Sequence, residues 1–133
     1  MGEILFRGKS VDSGEWLYGH YTEYAGFAQI WMNTDNGQWN FLVDPSTVGQ
    51  YTGLKDKNGK QIFEGDIIKT NKYGKDDGNG RNFSGYDYFR VKFCDGGYHM
   101  MHKFRRFNLR PDADAEVIGN IHDNPELLEG GEG

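Results

Sequence analysis

Apolar and polar residues alternate in several short stretches of this chain, and turns that contain glycine separate the stretches. The alternation is clearest in residues 15–21, 27–32 and 86–94. A period of two is what a β-strand with one buried face requires, because successive side chains point to opposite faces of the sheet. The chain also has 20 glycines and only 3 prolines, which suits many tight turns. These patterns predict a mainly β protein with antiparallel strands.

Three connections between the alternating stretches predict hairpins. Residues 34–38 and residues 95–97 each join two such stretches. The pair Asn58-Gly59 is typical of a type I′ turn, in which both central residues have a positive φ. At Glu64-Gly65-Asp66 we expect Gly65 to adopt a positive φ and Asp66 to accept backbone N–H groups.

The remaining segments differ from this pattern. Residues 71–85 are polar and rich in glycine, which predicts a long loop. Residues 116–121 predict a short last strand. Asn124 followed by Pro125 predicts a short terminal helix, with Asn124 as the capping residue and Pro125 in the first helical position.

Composition limits the class of protein. A chain of 133 residues is one domain or two small subdomains. Aromatic residues make up 15% of the chain, so we expect a core built from a few bulky rings. Cys94 is the single cysteine, which excludes an internal disulfide and suits a reducing compartment. The first residues lack a secretory pattern and no apolar stretch approaches the roughly 20 residues that span a membrane. These features predict a cytoplasmic location and no membrane partner.

Residues 43–68, with the sequence VDPSTVGQYTGLKDKNGKQIFEGDII, resemble the signature of the YopX family of phage and prophage proteins. Two flanking segments agree with it: Phe6-Arg7 followed by residues 15–19, and residues 117–128. The resemblance implies a phage- or prophage-encoded protein of the bacterial cytoplasm. It also implies a β-rich N-terminal subdomain, residues 1–53, and a C-terminal SH3-like barrel with a short terminal helix, residues 54–133. It implies no activity and supplies no catalytic residues.

One segment has a charge opposite to that of the whole chain, which carries −5. Between Tyr88 and Arg110, six cations face a single acid, Asp95. Aromatic residues lie between these cations, a combination that single-stranded nucleic acids bind. A hairpin with inward rings and a solvated outer face explains the same alternation, and the net acidity opposes polyanion binding. The candidate residues for nucleic-acid or partner binding are Arg90, Lys92, Lys103, Arg105, Arg106 and Arg110.

Catalytic and metal-binding residues are sparse. The candidate metal ligands are His99 and His102 with Asp95, and His122 with Asp123. The separation of three between His99 and His102 points their side chains to opposite faces of a strand, which disfavours joint ligation. A nucleophile would have to be Cys94 with His99 or His102 as its base, and no known signature surrounds it. We therefore expect no cofactor, no metal and no catalytic site.

Three functional hypotheses remain after these exclusions. The first is a non-enzymatic phage accessory protein that binds a host or phage macromolecule as a homo-oligomer, with the tryptophans in the core and the subunit interface. The second is a nucleic-acid-binding module that uses the basic hairpin, residues 88–110. The third is an enzyme that depends on Cys94 or His99.

Overall fold

The alternating stretches form β-strands in the structure, a computed structural model that describes residues 5–70, 87–102, 105–109 and 115–130. The elements are β1 (Phe6–Lys9), β2 (Trp16–Tyr24), β3 (Phe27–Thr34), β4 (Gly37–Leu42), a 3-10 turn (Pro45–Thr47), β5 (Gly49–Lys55), β6 (Gln61–Phe63), β7 (Asp66–Thr70), β8 (Asp87–Cys94), β9 (Gly97–His102), β10 (Arg105–Asn108), β11 (Ala115–Asn120) and α1 (Glu126–Gly130). The prediction of a mainly β protein is confirmed. The loop predicted at residues 71–85 lies outside the described residues.

The chain divides into two compact units, Met1–Gly53 and Leu54–Gly133. The strands form two antiparallel sheets, one in the order β4-β3-β2-β1-β5-β6 and the other in the order β10-β9-β8-β7-β11. In the first sheet, β2 and β3 pair from His20 opposite Trp31 to Tyr24 opposite Phe27, and β4 follows β3 at the edge. The predicted hairpin at residues 34–38 is therefore confirmed.

The core of the first unit is small. Its buried cluster consists of Ala28, Ile30 and Val43, and partly buried residues such as Leu17 and Met32 pack against it. Glycine permits one close approach in this sheet, because a Cβ atom on Gly19 would lie 2.0 Å from the carbonyl oxygen of Trp31. A larger residue at that position would push β2 away from β3.

The second unit has the larger core. Eight of its described residues form one buried cluster: Ile62, Ile68, Phe89, Val91, Met100, Leu109, Ala115 and Val117. β7, β8, β9 and β10 follow one another as a meander, and β11 returns to pair with β7. β10 and β11 are the two edge strands, and no pairing among the described residues closes this sheet into a barrel.

The expectation that bulky rings build the core is wrong. The buried hydrophobic residues are mostly aliphatic, and Phe63 and Phe89 are the two aromatic members among the described residues. Period-two alternation identifies which face a side chain shares, but a face near the edge of a sheet is not covered merely because it is apolar. The other aromatic residues are partly or largely exposed where the structure describes them.

Two of the described hairpin turns are of type I′, and the turn at Asn58-Gly59 is not. Asp95 and Gly96 have φ values of 50° and 82°, as a type I′ turn requires, and Ala25 and Gly26 have 53° and 85°. At Asn58-Gly59 only Gly59 has a positive φ, 83°, so the predicted type I′ turn is wrong although the hairpin exists. The cause is Asp56, whose Oδ1 accepts the N–H groups of both Asn58 and Lys60 at 2.8 Å and so favours a longer turn.

The turn predicted before β7 is confirmed. Gly65 has a φ of 94°, and Oδ2 of the buried Asp66 accepts the N–H of Phe63 at 2.8 Å. The short terminal helix is also confirmed, but the side-chain oxygen of Asn124 accepts the N–H of Asn120 at 3.3 Å, on the strand side. The close approach of Asn124 explains Gly119, where a Cβ atom would lie 2.5 Å from that same oxygen.

Within the described ranges, no helix has both the length and the apolar content needed to cross a membrane.

Candidate partner-binding site

Two of the six predicted site residues lie on one face of the second sheet. Arg90 of β8 pairs with Met101 of β9, and Lys92 pairs with His99. Paired residues on neighbouring strands project to the same face, so both cations lie opposite the face that buries Phe89. The alternation that the sequence predicts is therefore present in β8, where Phe89 is buried and the two cations lie on the other face, but Phe93 is 50% exposed.

Arg90 and Lys92 line a common pocket. Met101, His102 and Leu128 also line it among the described residues, and the volume of the pocket is about 240 Å³. We call it the Arg90 pocket. Sequence reasoning missed Met101 and Leu128, and no local signal connects Leu128 of α1 to a strand nearly forty positions earlier.

The guanidinium of Arg90 is not fully satisfied. Its Nε is buried and has no hydrogen-bond acceptor among the groups that the structure describes. A buried donor without an acceptor costs about 1–3 kcal/mol. Arg90 thus gives the pocket a positive charge, and its buried N–H group leaves the hydrogen bonding of this side chain incomplete.

Among the described residues Arg106, unlike Arg90, pairs with an acidic side chain. Its Nη1 lies 2.6 Å from Oδ2 of Asp95, and both side chains are exposed. The hydrogen bond to Asp95 raises the pKa of the Arg106 guanidinium above its usual value, and the charge of Asp95 acts in the same direction. The single acid of the basic segment therefore offsets the charge of Arg106.

The side chains of the other three predicted site residues lie outside the described residues. Lys103 and Arg110 lie outside the described residues. Arg105 belongs to β10 and pairs with His102, but its side chain lies outside the described residues. The structure therefore brings together Arg90 and Lys92 and leaves the other residues of the predicted set as a prediction.

Cys94 and His99 lie close together, as the third hypothesis requires. Sγ of Cys94 is 3.4 Å from Nδ1 of His99, whose side chain is buried. A thiol and an imidazole at this distance can exchange a proton, which is the first requirement for a cysteine nucleophile. In the described parts of the chain, no three side chains of His, Cys, Asp or Glu form a group that would hold a metal ion. The expectations of no enzyme activity and no metal remain predictions.

The first unit has a separate candidate surface along its edge strand. All six residues of Gly37–Leu42 are exposed, and we call this strand the β4 edge. Trp39 pairs with Met32 and Phe41 pairs with Ile30, so both rings lie on the face that carries the core. Trp39 is 54% exposed and Phe41 40% exposed, whereas Ile30 is fully buried. The apolar face of this sheet therefore continues uncovered from the core to the edge.

The fold defines a small, mainly β protein built of two antiparallel sheets. The profile of the YopX protein family matches residues 5–129, and the chain belongs to the YopX family. This match confirms the resemblance seen in residues 43–68.

A solved structure shares the fold. The crystal structure of protein EF1440 from Enterococcus faecalis matches with a TM-score of 0.58 and 24% sequence identity, covering 96% of this chain and 99% of that chain. At this identity the likeness shows the fold alone. A search of the curated proteins found no match.

Proposed function

We propose that this protein acts by binding rather than by catalysis, and that it assembles as a homo-oligomer through the β4 edge. The observation that supports this proposal is the uncovered core face, where Trp39 and Phe41 are exposed beside the buried Ile30. An edge strand also presents a row of backbone N–H and C=O groups that another strand can pair with.

A second copy of the same chain suits this edge. Neither β3 nor β4 contains a charged residue, so two copies would meet without charge repulsion. If two β4 strands pair antiparallel around Asn40, Trp39 of each copy lies opposite Phe41 of the other on the same face. Aromatic pairs across strands contribute about 0.2–1 kcal/mol each beyond the backbone pairing. Such a pairing has the two-fold symmetry that is commonest among homo-oligomers.

Sedimentation of Phe41→Lys tests the proposal. The wild-type chain should sediment as an oligomer at micromolar concentration, and Phe41→Lys should sediment as a monomer because a charge on an edge strand opposes pairing. Phe93→Lys is the matched control, since Phe93 is 50% exposed and belongs to the second unit. A monomeric wild type, or an oligomer that survives Phe41→Lys, would contradict the proposal.

Nucleic-acid binding is a second candidate function, favoured by the common face of Arg90 and Lys92. The pairing of Arg106 with Asp95 weakens it, because this cation is already compensated. The test is binding of labelled single- and double-stranded oligonucleotides at two salt concentrations. Each phosphate contact that is lost should reduce the slope of log affinity against log salt concentration by about one. The double variant Arg90→Gln and Lys92→Gln should therefore show a smaller slope than the wild type. Binding that is absent at low salt would remove this candidate.

We also infer that the second unit curls into an SH3-like barrel. In that fold a meander of four strands is followed by a fifth strand that pairs with the first, and the order β10-β9-β8-β7-β11 agrees with this. The family resemblance further supports a phage or prophage origin and a role in the bacterial cytoplasm, with a host or phage macromolecule as the partner.

A further inference from the structure

We propose that the Arg90 pocket binds a small oxyanion that carries an apolar group, such as an organic phosphate or carboxylate. The pocket belongs entirely to the second unit, so this inference does not depend on pairing at the β4 edge. It rests on three features of the lining residues: their charge, the hydrogen bonding of Arg90, and an apolar wall.

The charge of the lining residues is of one sign. Arg90 and Lys92 are cations, His102 is basic, and none of the five described residues that line the pocket is acidic. The whole chain carries −5, so this concentration of positive charge runs against its overall balance. An anion entering the pocket would meet a partly buried cation, Arg90, and an exposed one, Lys92, and an ion pair with a partly buried cation is stronger than one on an open surface.

The hydrogen bonding of Arg90 is also incomplete. Its Nε–H is buried without an acceptor among the described groups. A guanidinium presents its N–H groups in a planar fork that matches the oxygens of a phosphate or a carboxylate. Lys92 is exposed and can add a second, less directional contact from the solvent side.

The apolar wall specifies the remainder of the ligand. Met101 and Leu128 line the pocket beside the cations. Its volume of about 240 Å³ is below the range of about 300–1,000 Å³ that is usual for drug-sized ligands. It therefore suits an oxyanion with one small ring or short alkyl group, and a methionine side chain adapts readily to such a group.

Isothermal titration with phenyl phosphate, inorganic phosphate and benzoate tests the proposal. Phenyl phosphate should bind at least about threefold more tightly than inorganic phosphate, because the ring contacts Met101 and Leu128. Benzoate distinguishes the two oxyanions: tighter binding of benzoate than of phenyl phosphate would identify a carboxylate as the preferred group. Absence of binding by all three probes at millimolar concentration would overturn the proposal.

Arg90→Met separates a binding role from a structural one. It should lower the affinity for phenyl phosphate by at least about tenfold. The free protein should unfold at the same or a higher temperature, because a buried N–H without an acceptor is removed. Lys92→Met should weaken binding several-fold without a change in folding, which keeps the test valid if Arg90→Met does not fold. Unchanged affinity in Lys92→Met and in a folded Arg90→Met would refute the proposed site.

Leu128→Ser tests the apolar wall. It should reduce the affinity for phenyl phosphate to that for inorganic phosphate and leave the latter unchanged. The matched control is Lys55→Met, which removes an exposed cation from β5 and should alter neither affinity. Equal losses in Lys55→Met and Lys92→Met would show a general charge effect and overturn the assignment of the pocket.

Discussion

The two units of this chain distribute their apolar residues differently. The second unit gathers eight described residues into one buried cluster, whereas the first gathers three, Ala28, Ile30 and Val43. In the first unit the core face runs on to the β4 edge, where Trp39 and Phe41 are exposed. The comparison teaches that the second unit is organised around a larger core of its own, while the first leaves part of its apolar face uncovered.

The largest expected difference between the two units is the loss in free energy of unfolding when an aromatic side chain is removed. Phe89→Ala deletes a fully buried ring that packs edge-on against Phe107 at 5.8 Å, and it should lower the free energy of unfolding by about 3–5 kcal/mol. Trp39→Ala, measured at a concentration where the chain is monomeric, should cost less than about 1 kcal/mol. Urea denaturation measures both.

Ile30→Ala is the control for the first unit. Ile30 is buried, so its truncation should lower the free energy of unfolding by about 2–5 kcal/mol. If Trp39→Ala destabilised the monomer as much as Ile30→Ala, the β4 edge would be part of the core and the comparison would fail.

Asp56 gives the next largest effect, because it connects two distant parts of the second unit. Its Oδ2 accepts the N–H of Val117 at 2.9 Å, and its Oδ1 holds the turn at Asn58 and Lys60. Asp56→Ala should lower the free energy of unfolding by about 2–4 kcal/mol, since one buried and two partly buried N–H groups lose their acceptor. In the first unit the buried Thr47 has a similar position, since its Oγ1 accepts the N–H of Lys9 at 2.9 Å and donates to the carbonyl oxygen of Asp44.

The contribution of Asp56 should depend on pH. Burial alone would raise the pKa of this carboxyl, but the hydrogen bonds from Val117, Lys60 and Asn58, together with the charge of Lys60, hold it below the ordinary value of 3.8. A carboxyl whose pKa is lower in the folded state stabilises the protein above about pH 4 and loses this effect as the pH falls further. Thermal unfolding of wild type and Asp56→Asn from pH 7 to pH 2 should therefore converge at the acid end. A difference that stayed constant would contradict this account.

The two type I′ turns provide a smaller test. In the second unit Asp95 has a positive φ, which aspartate tolerates, but in the first unit Ala25 has a φ of 53°. Alanine is strained in the left-handed region. Ala25→Asn should therefore raise the free energy of unfolding by about 0.5–1 kcal/mol. Asp95→Asn is the control and should have little effect on the turn. A loss of stability in Ala25→Asn would show that alanine is needed there for another reason.

The smallest effect concerns two tyrosines, one in each unit. The hydrogen bond from the Tyr21 hydroxyl to Glu23 is the largest cause that raises the pKa of Tyr21 to about 12. Burial is the largest cause that raises the pKa of Tyr98, followed by the charge of Glu64. Glu23→Gln should therefore lower the pKa of Tyr21 towards 10, whereas Glu64→Gln should leave most of the rise at Tyr98. NMR titration of ring-labelled tyrosine measures both, and equal responses would contradict the difference in cause.

Much of the local structure followed from the sequence because its causes are local. Glycine at Gly65 and the acceptor at Asp66 produce a turn from contacts within a few residues. The turn at Asn58-Gly59 shows the limit of this reasoning. The dipeptide predicts a type I′ turn, but the carboxylate of Asp56, which β11 also holds, favours a longer one. The candidate surfaces were predicted less completely. Arg90 and Lys92 belong to the predicted set, but the pocket also needs Leu128 from α1.

The sequence by itself determined the class of fold, the family, and the face on which each strand residue lies, because a period of two and the chemistry of turns act over a few positions. Only the tertiary structure decided which apolar faces are covered, since burial depends on whether another element packs there. That is why Trp39 and Phe41 lie at an exposed edge, although the composition predicts a core built from a few bulky rings. The burial of the Arg90 Nε and the pocket that Arg90 shares with residues of β9 and α1 likewise depend on the tertiary structure.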